Sequence, residues 1–121
     1  MAKLNKAAVL RYLKANGTSK KQEGSYWDFY LAGCSGRTDF WLNNVPHIRF
    51  CQVHCSDGYD WRAYSDNSKH QAYICTVGVF DVITAHQNGE DINKAYAIAE
   101  LKAIQGLVDY IRPGAPSDYG N

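Results

Sequence analysis

The sequence predicts an α+β domain: an amphipathic N-terminal helix, an antiparallel sheet of about five strands, and a long C-terminal helix, with both helices on one sheet face. Three observations predict it. The middle of the chain alternates apolar and polar residues with a period of two, the mark of half-buried strands. Two segments with a helical period flank it. Nine Tyr, three Trp and four Phe enrich the chain in side chains that suit pleated strands. A length of 121 residues fits one domain. The expected organisation is a basic helix and linker over 1–22, a strand-rich body over 23–86, a C-terminal helix over 91–112 and a loose tail over 113–121.

The first helix is read over residues 3–16. Leu4, Ala8, Val9, Tyr12 and Leu13 fall on one side, and Lys3, Lys6, Arg11 and Lys14 on the other. Asn16-Gly17 is its stop, with Gly17 expected in the left-handed C′ conformation. Thr18 to Gly24 reads as a polar linker.

Strands follow. Trp27, Phe29 and Leu31 alternate with polar neighbours over Ser25–Ala32. Gly33-Cys34-Ser35-Gly36 is a loop, Thr38–Leu42 a short strand, and Asn43-Asn44 a turn. Pro46 leads into a strand over His47–Ser56. Asp57-Gly58 is the strongest hairpin signal, returning through Tyr59–Tyr64 with Tyr59, Trp61 and Ala63 on one face.

Gln71–Ala85 is rich in β-branched residues but too long for one strand, so it is broken near Gly78. Val79–His86 is expected as a strand, with a short helix as the alternative. Asp91 caps the last helix, Ile92–Ile111, which Pro113-Gly114 ends. Ala97, Leu101, Ile104, Val108 and Ile111 are its expected core stripe. Losses of about 2–4 and ~1–3 kcal/mol follow for Leu101→Ala and Val108→Ala if that is so. Ala95, Ala99, Ala103 and Gly106 form a small-residue stripe suited to tight packing inside the domain, or to a homodimer contact as the minority reading.

The net charge of +1 conceals an asymmetry. Residues 1–22 hold six Lys/Arg and no acid, leaving seven Lys/Arg against twelve Asp/Glu in the remainder, a balance of −5. A basic arm on an acidic body points to an anionic partner, or to a merely solvated helix face. No signal-peptide core and no run of 18 apolar residues is visible, so the sequence reads as cytoplasmic, in a host cytoplasm if phage-encoded, without membrane contact.

Chemistry is sparse. Neither phosphate-cradling glycine motif occurs, so no nucleotide cofactor is expected. Cys34, Cys51, Cys55 and Cys75 include no C-x-x-C pair, and Cys51 and Cys55 lie roughly 13 Å apart on a regular strand. They are expected to be reduced and metal-free. His54, Cys55, Ser56 and Asp57 are adjacent in sequence, but strand neighbours face opposite ways, so no catalytic residue is assigned.

The expectation is a small non-catalytic binding protein. Its build of short, aromatic-rich, cysteine-containing domain is the kind seen in phage or mobile-element accessory and anti-defence inhibitors. It would dock on a larger protein or nucleoprotein, such as a host nucleic-acid-handling complex. The alternative is direct DNA or RNA binding, and the third reading is a small hydrolase or nuclease around His54. The candidate binding residues are Lys3, Lys6, Arg11, Lys14, Tyr30 and Tyr64.

Overall fold

The computed structural model describes residues 4–23, 34–55, 58–70 and 73–110, with side chains at 22–23, 34–35 and 106–110 left aside. The chain runs α1 (Lys6–Asn16), β1 (Gly17–Glu23), β2 (Cys34–Leu42), β3 (Val45–Cys55), β4 (Gly58–Ser65), β5 (Ile74–Cys75), α2 (Thr76–Gln87) and α3 (Ile92–Tyr110). The five strands form one antiparallel sheet in sequence order. All three helices contribute to one core on one sheet face. Val9 and Leu13 of α1, Val79, Val82 and Ile83 of α2, and Ile92, Tyr96 and Ala99 of α3 meet Phe40, Ile48, Phe50, Trp61, Ala63 and Ile74. The α+β reading holds.

Asn5 starts α1 by accepting a hydrogen bond from the Ala8 amide at 2.8 Å, which satisfies one orphan donor. The expected linker after Asn16 is instead an edge strand. β1 pairs with β2 in an unbroken register from Gly17↔Leu42 to Glu23↔Gly36. Its polar sequence hides it, since lysines on an exposed edge are a common guard against further strand pairing. Gly17 is extended, at φ −159°, and not left-handed. Glycine is needed there for another reason: a Cβ would lie 2.1 Å from the Trp41 carbonyl oxygen.

β2 begins at Cys34, so Cys34 to Gly36 belong to the strand and not to a loop. The expected strand over Ser25–Ala32 lies outside the described residues. Asn43-Asn44 forms the β2–β3 turn, with Asn44 in the left-handed region at φ 66°. β3 and β4 pair up to Cys55↔Gly58 as an antiparallel hairpin. Gly58 opens β4 at φ 144°, a conformation L side chains rarely take. Tyr59, Trp61 and Ala63 face the helices as expected.

Two further expectations fail, both through tertiary packing. Val79–His86 is helix, part of α2, and not strand. Its β-branched residues favour a strand locally, but Val79, Val82 and Ile83 recur at helical spacing and are all buried. On α3 the buried residues are Ile92, Tyr96, Ala99 and Glu100, so the core face takes Ala99 from the small-residue stripe and not Leu101 from the expected one. Ala99 is 4% exposed, whereas Leu101 is 51% exposed and Ala97 is also exposed. Gly78 of α2 explains the choice: a Cβ there would lie 2.9 Å from Ile74 Cβ and 3.5 Å from Ala99 Cβ. The helices meet through Gly78 and Ala99, and Leu101 is turned outward. Ile104 is half-buried, and Val108, Ile111 and Gly106 fall outside the described side chains.

Leu101→Ala is therefore expected to shift stability by less than about 0.5 kcal/mol, the range of ordinary surface changes. Chemical denaturation measures this. A loss of about 2–4 kcal/mol, as for a buried leucine, would contradict the exposed placement.

Candidate nucleic-acid interface

The sheet's second face, away from the helices, follows from parity. Phe40, Phe50, Trp61 and Ala63 point into the core, so Arg37 and Asp39 of β2, Arg49 and Cys51 of β3, and Arg62 and Tyr64 of β4 point to the other side. Lys20 of β1 joins them opposite Asp39. All three arginines of β2–β4 therefore share one face.

Their surroundings are aromatic. The Arg49 guanidinium carbon lies 5.1 Å from the Tyr64 ring centroid, and that of Arg62 lies 5.2 Å from Tyr73. Tyr64 and Tyr73 are themselves 5.5 Å apart with planes tilted by 39°. The strand register brings this about: Arg49 opposes Tyr64 directly, and Arg62 opposes Cys75, two residues beyond Tyr73. Arginine over a tyrosine face is attractive because the ring quadrupole presents negative charge. Tyr73 is 41% exposed, while Arg49, Arg62 and Tyr64 are half-buried. The Nε of Arg49 is buried and has no hydrogen-bond partner among the described residues. Burial pushes the Tyr64 hydroxyl above its ordinary range, so it stays protonated near neutrality.

The centre of this face is closed. Asp39 is 1% exposed and receives the Arg37 Nε at 3.0 Å. Cys51, 2% exposed, shares a side-chain hydrogen bond with Asp39. Burial, and then the Asp39 charge, push the Cys51 thiol up to about 12. The raised value favours the neutral thiol in the fold. That contribution is complete below the ordinary thiol range and is lost as pH rises toward about 12. Cys51 should therefore resist iodoacetamide at pH 8, while exposed Cys75 is alkylated first. Peptide mass mapping after a short pulse checks the order, and Cys51 labelled as fast as Cys75 would contradict it.

The candidate residues read from the sequence fare unequally. Tyr64 belongs to the stacked group. Lys6 extends to Asp60 at 3.0 Å, so part of the α1 charge is matched from β4. Arg11 and Lys14 are exposed on α1, on the helix side of the sheet. Lys3 and Tyr30 lie outside the described residues. Arg49, Arg62 and Tyr73 were missed, although inward Trp61 and Ala63 already imply an outward Arg62.

His54 meets Thr38 Oγ1 at 3.0 Å, and the Cys55 thiol donates to the Val53 carbonyl at 3.6 Å. Among the described residues no group of three or more His, Cys, Asp or Glu side chains could hold a metal ion. No helix among them is long and apolar enough to cross a membrane. No protein-family model matches the sequence, and neither a curated protein nor a solved structure gives a match.

Proposed function

We propose that this chain is a non-catalytic binding protein whose outer sheet face takes single-stranded nucleic acid. The observation that carries the reading is the stacked group Arg49–Tyr64–Tyr73–Arg62, with the Nε of Arg49, unpartnered among the described residues, beneath it. Single-strand binding calls for cations that follow phosphates and rings that stack on bases whatever the sequence. Exposed Tyr73 supplies a ring, and the two guanidiniums supply charge beside it. Duplex DNA fits less well, because its bases are already stacked and inaccessible to a flat aromatic surface. Exposed Lys20 extends the positive charge towards the β1 edge.

A second reading uses different residues. Val77, Ile98 and Leu101 are exposed apolar side chains on α2 and α3, at 71%, 46% and 51%. They suit docking on a larger protein, as a phage or mobile-element inhibitor of a host nucleic-acid-handling complex would require. Fluorescence anisotropy with a labelled oligothymidylate of about 15 nucleotides separates the two, since single-strand site sizes run to roughly that length. Saturable binding that weakens steeply with salt supports the first reading. No binding at low salt overturns it and leaves the protein-docking surface.

A further inference from the structure

A second feature lies on the helix side, between the β4–β5 connection and α3. A cleft there is lined by Ser68, Lys69, His70, Tyr96, Glu100 and Leu101, among others. Glu100 is only 4% exposed. The Ser68 hydroxyl donates to it, and no cation reaches it among the described ion pairs. An ionised carboxylate has about four acceptor sites, and burying one with a single neutral donor is unfavourable. The neighbouring Tyr96 hydroxyl donates elsewhere, to the Ala63 carbonyl at 3.2 Å. Asn93 Oδ1, on the same cleft, is held by His47 Nε2. Lys69 and His70 also line the cleft, both exposed to solvent.

We infer that this cleft is a binding site for a small organic amine, whose ammonium group pairs with Glu100 and whose apolar body lies against Tyr96 and Leu101. A carboxylate in the lining selects against an anion. A carboxylate takes a stronger, charge-assisted hydrogen bond from an ammonium than from a neutral donor. A lone carboxylate is a poor holder for a divalent metal, which takes several ligands. The half-exposed Leu101 then has a role: it is the wall that an apolar ligand covers. Lys69 and His70 oppose the amine, but both are exposed and solvent screens them. This site is independent of the sheet face, and each can fail without the other.

The test is amide-shift titration of the isotopically labelled protein with 2-phenylethylamine and with 2-phenylethanol, which differ only in the charged head. The amine should give saturable shifts around Ser68–His70 and Tyr96–Leu101, with an affinity at least about tenfold above that of the alcohol. Glu100→Gln should remove that preference while leaving oligothymidylate binding unchanged. Leu101→Ala, on the exposed wall, should weaken both ligands and provides the reading if Glu100→Gln does not fold. Equal affinity for amine and alcohol, or no saturable shift in these segments, overturns the inference.

Discussion

Trp61→Ala should remove about 3–5 kcal/mol of stability, the cost of emptying a fully buried tryptophan site. Trp61 has no exposed surface and sits where α1 meets the sheet. Its ring lies 5.7 Å from that of Phe40 and 5.9 Å from that of Tyr59, the latter edge-on. Its indole Nε1 donates to the Lys6 carbonyl at 3.2 Å, tying the first turn of α1 to β4. The substitution thus opens a cavity and releases a helix at once. Single domains hold only about 5–15 kcal/mol in all, so roughly a fifth or more of the total is at stake. With a urea dependence of about 1–3 kcal/mol per molar, the midpoint should fall by roughly 1 M or more. Far-UV circular dichroism follows it without relying on tryptophan emission. A midpoint unchanged within error would mean that Trp61 is not central to the core.

Replacing Arg49 and Arg62 together with alanine should weaken oligothymidylate binding by about thirtyfold or more at low salt, since each base-stacking partner supplies roughly 1–3 kcal/mol. The two guanidiniums hold the Tyr64 and Tyr73 rings on one patch, so both charge and ring orientation go. The fold should survive, because both side chains lie on the face away from the helix core. Arg11→Ala with Lys14→Ala on α1 is the control and should change affinity little. The opposite pattern, with α1 decisive and the sheet arginines silent, would return the binding surface to the basic helix.

What could be read in the sequence depended on how local each determinant was. The β3–β4 hairpin and its inward Trp61 and Ala63 were legible because alternation and a glycine-containing turn are short-range signals. β1 was not, since Thr-Ser-Lys-Lys-Gln-Glu has no apolar alternation and becomes a strand only by pairing with β2. α2 was misjudged because β-branched residues carry strand propensity, while the buried face that Val79, Val82 and Ile83 make exists only once the sheet has formed. On α3, size argued for Leu101 and closeness of approach for Ala99. Gly78 settles that contest, from a different element. The proposed binding face followed the same rule. Tyr64 was within reach of parity, but Arg49 needed the hairpin register and Tyr73 needed the two-residue pairing of β5 with β4.

The charge asymmetry also changes meaning in three dimensions. The N-terminal excess drew attention to α1, yet Lys6 is engaged by Asp60, and the arginines of β2, β3 and β4 gather on one face. Net charge by segment cannot reveal this, because alternate residues of a strand contribute to opposite surfaces.

The central claim is that the Arg–Tyr face binds single-stranded nucleic acid through phosphates and bases together. Its most direct test is oligothymidylate affinity measured across a salt series from low to physiological ionic strength, for the original protein and for the Arg49→Ala, Arg62→Ala variant. Each phosphate neutralised contributes about 0.7 to the slope of log affinity against log salt for single strands. The original protein should show a steep negative slope, and the variant a slope shallower by about 1.4 with weaker binding throughout. Binding that is insensitive to salt, or a slope identical in the two proteins, would contradict the claim.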